Sequence, residues 1–346
     1  MVTPSTPGVS CIEEIVAFFY YSLLCAPLTM VSPIRALTSY QRGSCANNVH
    51  NEPPFCSAMS ENPSMVARIV RFLAPIGATG ASLEDLHVQA ESEEWISEAS
   101  RILRLNGCLV LSGLIDPEDA RASGARWQER IAEAMEALGE SDHHITDEWG
   151  AQNGLAHWTN YKELADAGRT IYIHRDGTCD GMVDVFNIQF TQADEGPEAR
   201  CRSSLVGEEI RKVIAGAFTK AVNPSNLNIY QNKGVQGTRG LHFDSLEFRI
   251  KVFAYLSDVE GLDSGPYVYV PGSHSRRLHR RATQWLNRSR RDGTHPTDAT
   301  LARPDAGVPM FGAAGTIIIS DQRGIHRGWP QSPTGSRVLM VQAYDM

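Results

Sequence analysis

His242 and Asp244 stand two positions apart in "GLHFDSLEF", Gly240 to Phe248, with apolar residues before and between them. The stretch otherwise reads as a β-strand, in which positions i and i+2 point to the same side. Imidazole and carboxylate would then lie side by side. Such a pair serves as a surface contact, a catalytic dyad or two thirds of a metal site, and the rest of the chain has to choose.

A second His-x-Asp, formed by His174 and Asp176, follows the run "TIYIH". The tripeptide His-Arg-Asp also opens the catalytic loop of protein kinases. That loop needs an asparagine where this chain has Gly181, and neither a glycine-rich phosphate loop nor Asp-Phe-Gly accompanies it. His174 and Asp176 are therefore read as a surface pair at a strand end.

His242 and Asp244 have better company. The stretch "GTIIISDQRGIHRGWPQSPTGSRVLMVQAY" gives a strand, a histidine at 326, a Pro/Gly turn and a strand opening with Arg337. Two imidazoles and one carboxylate on one face of a metal leave its other positions open. A non-haem Fe(II) oxygenase needs those positions for a chelating keto acid and O2. A structural zinc site would instead be closed by four ligands, with thiolates expected among them. Arg337 is always charged and can grip the far carboxylate of 2-oxoglutarate through two parallel hydrogen bonds.

With "HFD", then "YLSDVEGLDSGPYVYVPGSH", then "GIHRG" and Arg337 in this order, the sequence resembles the phytanoyl-CoA dioxygenase family of Fe(II)/2-oxoglutarate oxygenases. "NGCLVLSGLIDPE" resembles the family's opening strand and helix, so the likeness runs from about Leu103 to Tyr344. The resemblance implies a mainly β, α+β fold: a double-stranded β-helix (a cupin-like jelly roll) with flanking helices. It implies Fe(II) on His242, Asp244 and His326, with Arg337 binding 2-oxoglutarate and O2 as the second co-substrate. The expected outcome is hydroxylation of a C–H bond in a small molecule, with release of succinate and CO2. Related halogenases lack the metal carboxylate, so Asp244 argues against halogenation. Family members often carry a hydroxyl residue two positions after the distal histidine; here that position is Gly328. The competing classes are a non-catalytic or structural-metal β-barrel binding protein and a cupin-type isomerase or hydrolase.

Lesser candidates surround these. Asn228, Tyr230 and Asn232 share a face of "NLNIYQN". Tyr230 and Asn232 are candidates for 2-oxoglutarate binding, against an ordinary solvent-facing row. His274, Lys251 and Trp329 are candidates for substrate contact. Their alternatives are a turn histidine, a snorkelling surface lysine and core packing, respectively. Ser273 to Arg291 carries seven arginines and no acid. It reads as a solvated helical part of an insertion over about 275–312, or else as an electropositive lid for an anionic substrate.

The 346 residues are 42% hydrophobic and 21% charged, ordinary for a globular enzyme, and the net charge of -8 gives no support to general nucleic-acid binding. Seven cysteines, four of them within the first 56 residues, do not form a disulfide framework and read as free thiols in the cytoplasm. Ile15 to Val31 is apolar for 17 residues, but Glu13 and Glu14 precede it and Pro27 interrupts it. Residues 1–80 are expected to be a poorly ordered or non-native extension, with a membrane anchor as the alternative, and 81–346 a single oxygenase domain. Within it, helices are expected over Ser82 to Asn106, from Asp116-Pro117 to Gly139, and over about Glu208 to Ala221. Short strands should fill most of the remainder from Asn226.

Overall fold

The computed structural model describes residues 80–136, 144–147, 168, 170–175, 180–188 and 195–345. All of them belong to the unit Ile69–Met346. The N-terminal extension, with Ile15 to Val31 and its four cysteines, lies outside the described residues, as does Asp176. Among the described residues no helix is long and apolar enough to cross a membrane.

The first expected helix is shorter than its sequence signal. Only Trp95–Asn106 (α1) is α-helical, and His87–Gln89 forms a strand (β1). β1 pairs in parallel with Cys108–Ser112 (β2), so sheet hydrogen bonds capture a segment whose own pattern favoured helix. α1 stops at Gly107, whose φ of 78° suits glycine and whose N–H returns to Leu103 O at 2.8 Å. Asp116 opens Pro117–Glu136 (α2), its Oδ1 accepting from the Glu118 N–H at 2.7 Å. Pro197–Val206 (α3) precedes Glu208–Phe218 (α4).

The remaining strands are His144–Asp147 (β3), Ile171–Arg175 (β4), Met182–Phe186 (β5), Asn223–Lys233 (β6), Ile250–Tyr255 (β7), Tyr267–Tyr269 (β8), Val308–Met310 (β9), Ile317–Asp321 (β10), His326–Gly328 (β11) and Ser336–Asp345 (β12). They make a nine-stranded sheet, ordered β1-β2-β10-β7-β12-β6-β5-β4-β3, and a three-stranded sheet, β11-β8-β9. All pairings are antiparallel except β1 with β2 and β3 with β4. Between β8 and β9 the basic stretch folds as Arg277–Arg288 (α5).

Register decides which side chains meet. Leu339 lies opposite both Tyr255 and Tyr230, and Val341 opposite both Phe253 and Asn228. Lys251, Phe253 and Tyr255 of β7 therefore share one face with Arg337, Leu339 and Val341 of β12 and with Asn228, Tyr230 and Asn232 of β6. That face looks toward the small sheet: the Phe253 and Tyr267 rings are 4.8 Å apart, and the Tyr267 hydroxyl meets Ser320 Oγ at 2.8 Å. The other face carries the helices, with the Tyr344 hydroxyl donating to Leu205 O of α3 at 2.5 Å. Apolar side chains such as Ile317, Ile319, Val252 and Met340 are fully buried in this core. A side chain that crosses the gap between the sheets thus enters a confined interior.

Candidate metal centre

The segment carrying His242 is not the regular strand its sequence suggested. His242 makes isolated bridges to His326 and Asp298, and the chain then bends, with the Asp244 N–H reaching Gln322 O at 3.1 Å. The paired His242 and His326 exchange backbone hydrogen bonds at 2.9 and 2.8 Å. This pairing, rather than strand alternation, brings the two imidazoles together.

Their ring centroids are 4.6 Å apart. Asp244 Oδ1 lies 3.5 Å from His242 Nε2 and 3.6 Å from His326 Nε2. The three ligating atoms all fall within 4.8 Å of one another. Each histidine places Nδ1 against a backbone carbonyl two residues back, His242 on Gly240 O at 2.8 Å and His326 on Gly324 O at 2.9 Å. A carbonyl only accepts, so Nδ1 carries the hydrogen and Nε2 of the neutral ring is a bare acceptor. Burial pushes the His242 imidazole down to about 4, so it is neutral at pH 7. Two nitrogen acceptors facing a carboxylate oxygen repel one another unless a cation sits among them. The donor set of two imidazoles and a carboxylate suits Fe(II).

Lys251 completes this corner. From β7 its Nζ donates to Asp244 Oδ2 at 2.7 Å, leaving Oδ1 to face the histidines. Burial alone would raise the Asp244 carboxyl, but the Lys251 ammonium outweighs it and holds the group well below the usual carboxylate range. The sequence offered Lys251 as a substrate contact; its observed partner is Asp244. The Tyr267 and Tyr269 rings flank His326 at 5.5 and 6.5 Å, and Tyr269 donates to Asp321 O at 3.0 Å. No sequence signal marked these two tyrosines, since they also fit an ordinary core pattern.

Arg337 lies one strand step away. Gly328 shares the face of β11 with His326, and a Cβ at Gly328 would stand 3.7 Å from Arg337 Nη2. Arg337 is 5% exposed; its Nη1 donates to Gly265 O and its Nε has no partner. No carboxylate among the described residues pairs with it. Burial pulls its guanidinium below the usual arginine range, with the Tyr255 phenol opposing. Opposite it in register, Asn232 is buried with Oδ1 unpartnered. Tyr230 takes a hydrogen bond from Asn228 at 3.3 Å, and it lies close enough to Lys251, Asp184 and Asp244 to feel their charges.

Two other sequence candidates have partners of their own. His274 donates from Nε2 to Arg104 O at 3.2 Å and presses Nδ1 against Gly107, where a Cβ would meet it at 2.4 Å. It is built into the end of α1. Trp329 follows β11, with the Arg327 guanidinium 5.3 Å from its ring.

No protein-family model matches the chain, and no curated protein does. Solved structures give loose likenesses. AviO1 from Streptomyces viridochromogenes Tue57 has a TM-score of 0.46 at 16% identity, over 72% of this chain and 93% of that one. The epimerase SnoN, in complex with Fe3+, alpha ketoglutarate and nogalamycin RO, has 0.43 at 16%, over 72% and 82%. HygX from Streptomyces hygroscopicus, with nickel and 2-oxoglutarate bound, has 0.40 at 14%, over 71% and 85%. Such scores fix neither family nor reaction, so the chemistry has to come from the site itself.

Proposed function

We propose that the chain is an Fe(II)- and 2-oxoglutarate-dependent oxygenase, a hydroxylase of the phytanoyl-CoA dioxygenase type, with its two sheets forming a double-stranded β-helix. The observation that carries this reading is the pairing of an acceptor-only His–Asp–His cluster with a buried arginine that lacks a counter-ion. His242, Asp244 and His326 would hold the iron. Arg337 would bind the distal carboxylate of 2-oxoglutarate through its free N–H edge, with Asn232 and Tyr230 beside it. Bound there, iron and keto acid would supply O2-driven decarboxylation to succinate and CO2, coupled to oxidation of a C–H bond in a small-molecule substrate.

The chain's own groups fix geometry and exclude water. Lys251 holds Asp244 by one oxygen and so aims the other. The Gly240 and Gly324 carbonyls lock both imidazole tautomers. Phe253, Leu339 and Val341 line the interior face and keep the gap between the sheets apolar. A charged guanidinium in such a place costs several kcal/mol unless an anion answers it, and a dicarboxylate does so.

The test is succinate formation from 2-oxoglutarate under O2 with added Fe(II). His242→Ala and Asp244→Ala should reduce it to background, and full turnover in either variant would remove the assignment.

A further inference from the structure

The basic stretch leaves a charge imbalance at one end of α5. Arg277, His279 and Arg280 lie in its first turn and Arg276 immediately before it, with no acidic residue in that turn and no side-chain cap. A helix N-terminus carries roughly half a positive charge, so cations are the wrong sign there. A cavity of about 450 Å³ borders this end, lined by Arg104, Phe218, Ser275, Arg277, Arg280 and Arg323. Arg104 comes from the last turn of α1 and Arg323 from the turn between β10 and β11. Among the described residues, the only carboxylate paired with these four arginines is the fully buried Asp321, held by Arg323 at 2.5 Å.

Arg280 is the decisive side chain. It is 2% exposed, and its Nη1 donates to Ser273 O at 3.0 Å and His274 O at 2.6 Å. Those two carbonyls tie down one corner of the guanidinium and explain part of its burial. Its Nε has no partner, and no carboxylate forms an ion pair with it, Asp321 acting on its charge only from a distance. Arg277 and Arg104 stand exposed beside it. The first residue of a helix, two exposed arginines and a buried arginine thus line one cavity, a setting that stabilises an oxyanion.

We propose that this cavity is an oxyanion-binding site for a phosphate or sulfate group, free in solution or carried as the charged end of a small molecule. Arg277 and Arg104 supply the grip, and Arg280 forms the floor. The site is separate from the iron ligands, although it rests on the same two loops. Leu246, just past Asp244, lines it as well, and Arg323 precedes His326 by three residues.

The experiment uses the full chain without added iron or 2-oxoglutarate, at constant ionic strength set with sodium chloride. Inorganic phosphate and phenyl phosphate are titrated by calorimetry and by melting temperature. Saturable binding with a rise in melting temperature is expected. Arg277→Ala and Arg104→Ala should each weaken it about tenfold. Arg288→Ala, exposed at the far end of the same helix, should leave it unchanged. Tighter binding of phenyl phosphate assigns the anion to a larger small molecule, and equal or weaker binding assigns it to the free ion; both outcomes support the site. Absence of saturable binding would overturn it, as would equal losses in all three variants, which would mean diffuse attraction. Because no iron or keto acid is present, failure of the oxygenase reading leaves this result standing.

Discussion

Lys251 and Arg337 are cations on one face of the large sheet, yet their settings differ. Lys251 has a carboxylate at 2.7 Å and shares some solvent, with side-chain exposures of 23% for the lysine and 29% for Asp244. Arg337 is 5% exposed, with one backbone carbonyl for a partner, and Arg280 at α5, 2% exposed, likewise has only backbone carbonyls, two of them. A paired cation contributes to the fold and aims its partner. An unpaired buried cation costs stability in the free protein and repays that only when an anion arrives. The contrast separates residues that build the site from residues that bind at it.

The largest expected effect is at Arg337. Arg337→Met should weaken 2-oxoglutarate binding to the metal-loaded protein at least 100-fold, about 2.7 kcal/mol. It should leave the melting temperature of the free protein unchanged or higher, since a desolvated charge is gone. Lower free-protein stability together with intact keto-acid binding would reverse the comparison. Lys251→Met should do the opposite to the free protein and destabilise it in urea by roughly 1–2 kcal/mol, because Asp244 loses its counter-ion. The loss stays below the value for a fully buried pair because solvent reaches both groups.

The smallest effect is in pH. His279 is buried near Arg276 and Arg280 with no acid at hand, and burial followed by these two charges pushes its imidazole down to about 4. Unfolded, it titrates near 6.5. Below that pH the unfolded chain takes up a proton that the folded chain does not, so stability is full above 6.5 and drains as the pH falls toward 4. His242 follows the same course. Each contributes a loss of about 1 kcal/mol between pH 6.5 and 5.5. His279→Leu should remove about half of the combined slope in urea melts, and an unchanged slope would show that His279 is not held neutral.

The candidate ligands were readable because chemistry restricts them: few residue types other than His and Asp could make such a cluster at positions 242, 244 and 326. Strands β7, β10 and β12 were readable from compact β-branched runs between turn residues. Pairing across the fold was not. β1 became a strand because β2 offered it hydrogen bonds, and "GLHFD" gave up strand geometry so that Asp244 could turn toward Gln322. α3 gave little signal because its buried stripe, Glu198, Cys201 and Leu205, begins with an acid and holds only two apolar side chains. Lys251 could be read only as a substrate contact or a surface residue, because a long side chain's destination depends on what lies across the gap. Arg280 was one arginine among seven until burial set it apart.

An anaerobic titration of Fe(II) and then 2-oxoglutarate into the purified chain, followed by visible absorption, addresses the iron assignment most directly. It predicts a charge-transfer band that saturates at one iron per chain only when both are present, and that disappears in the double variant His242→Ala/His326→Ala. A band that survives the double variant, or a wild-type chain that retains iron while 2-oxoglutarate leaves its spectrum untouched, would contradict it.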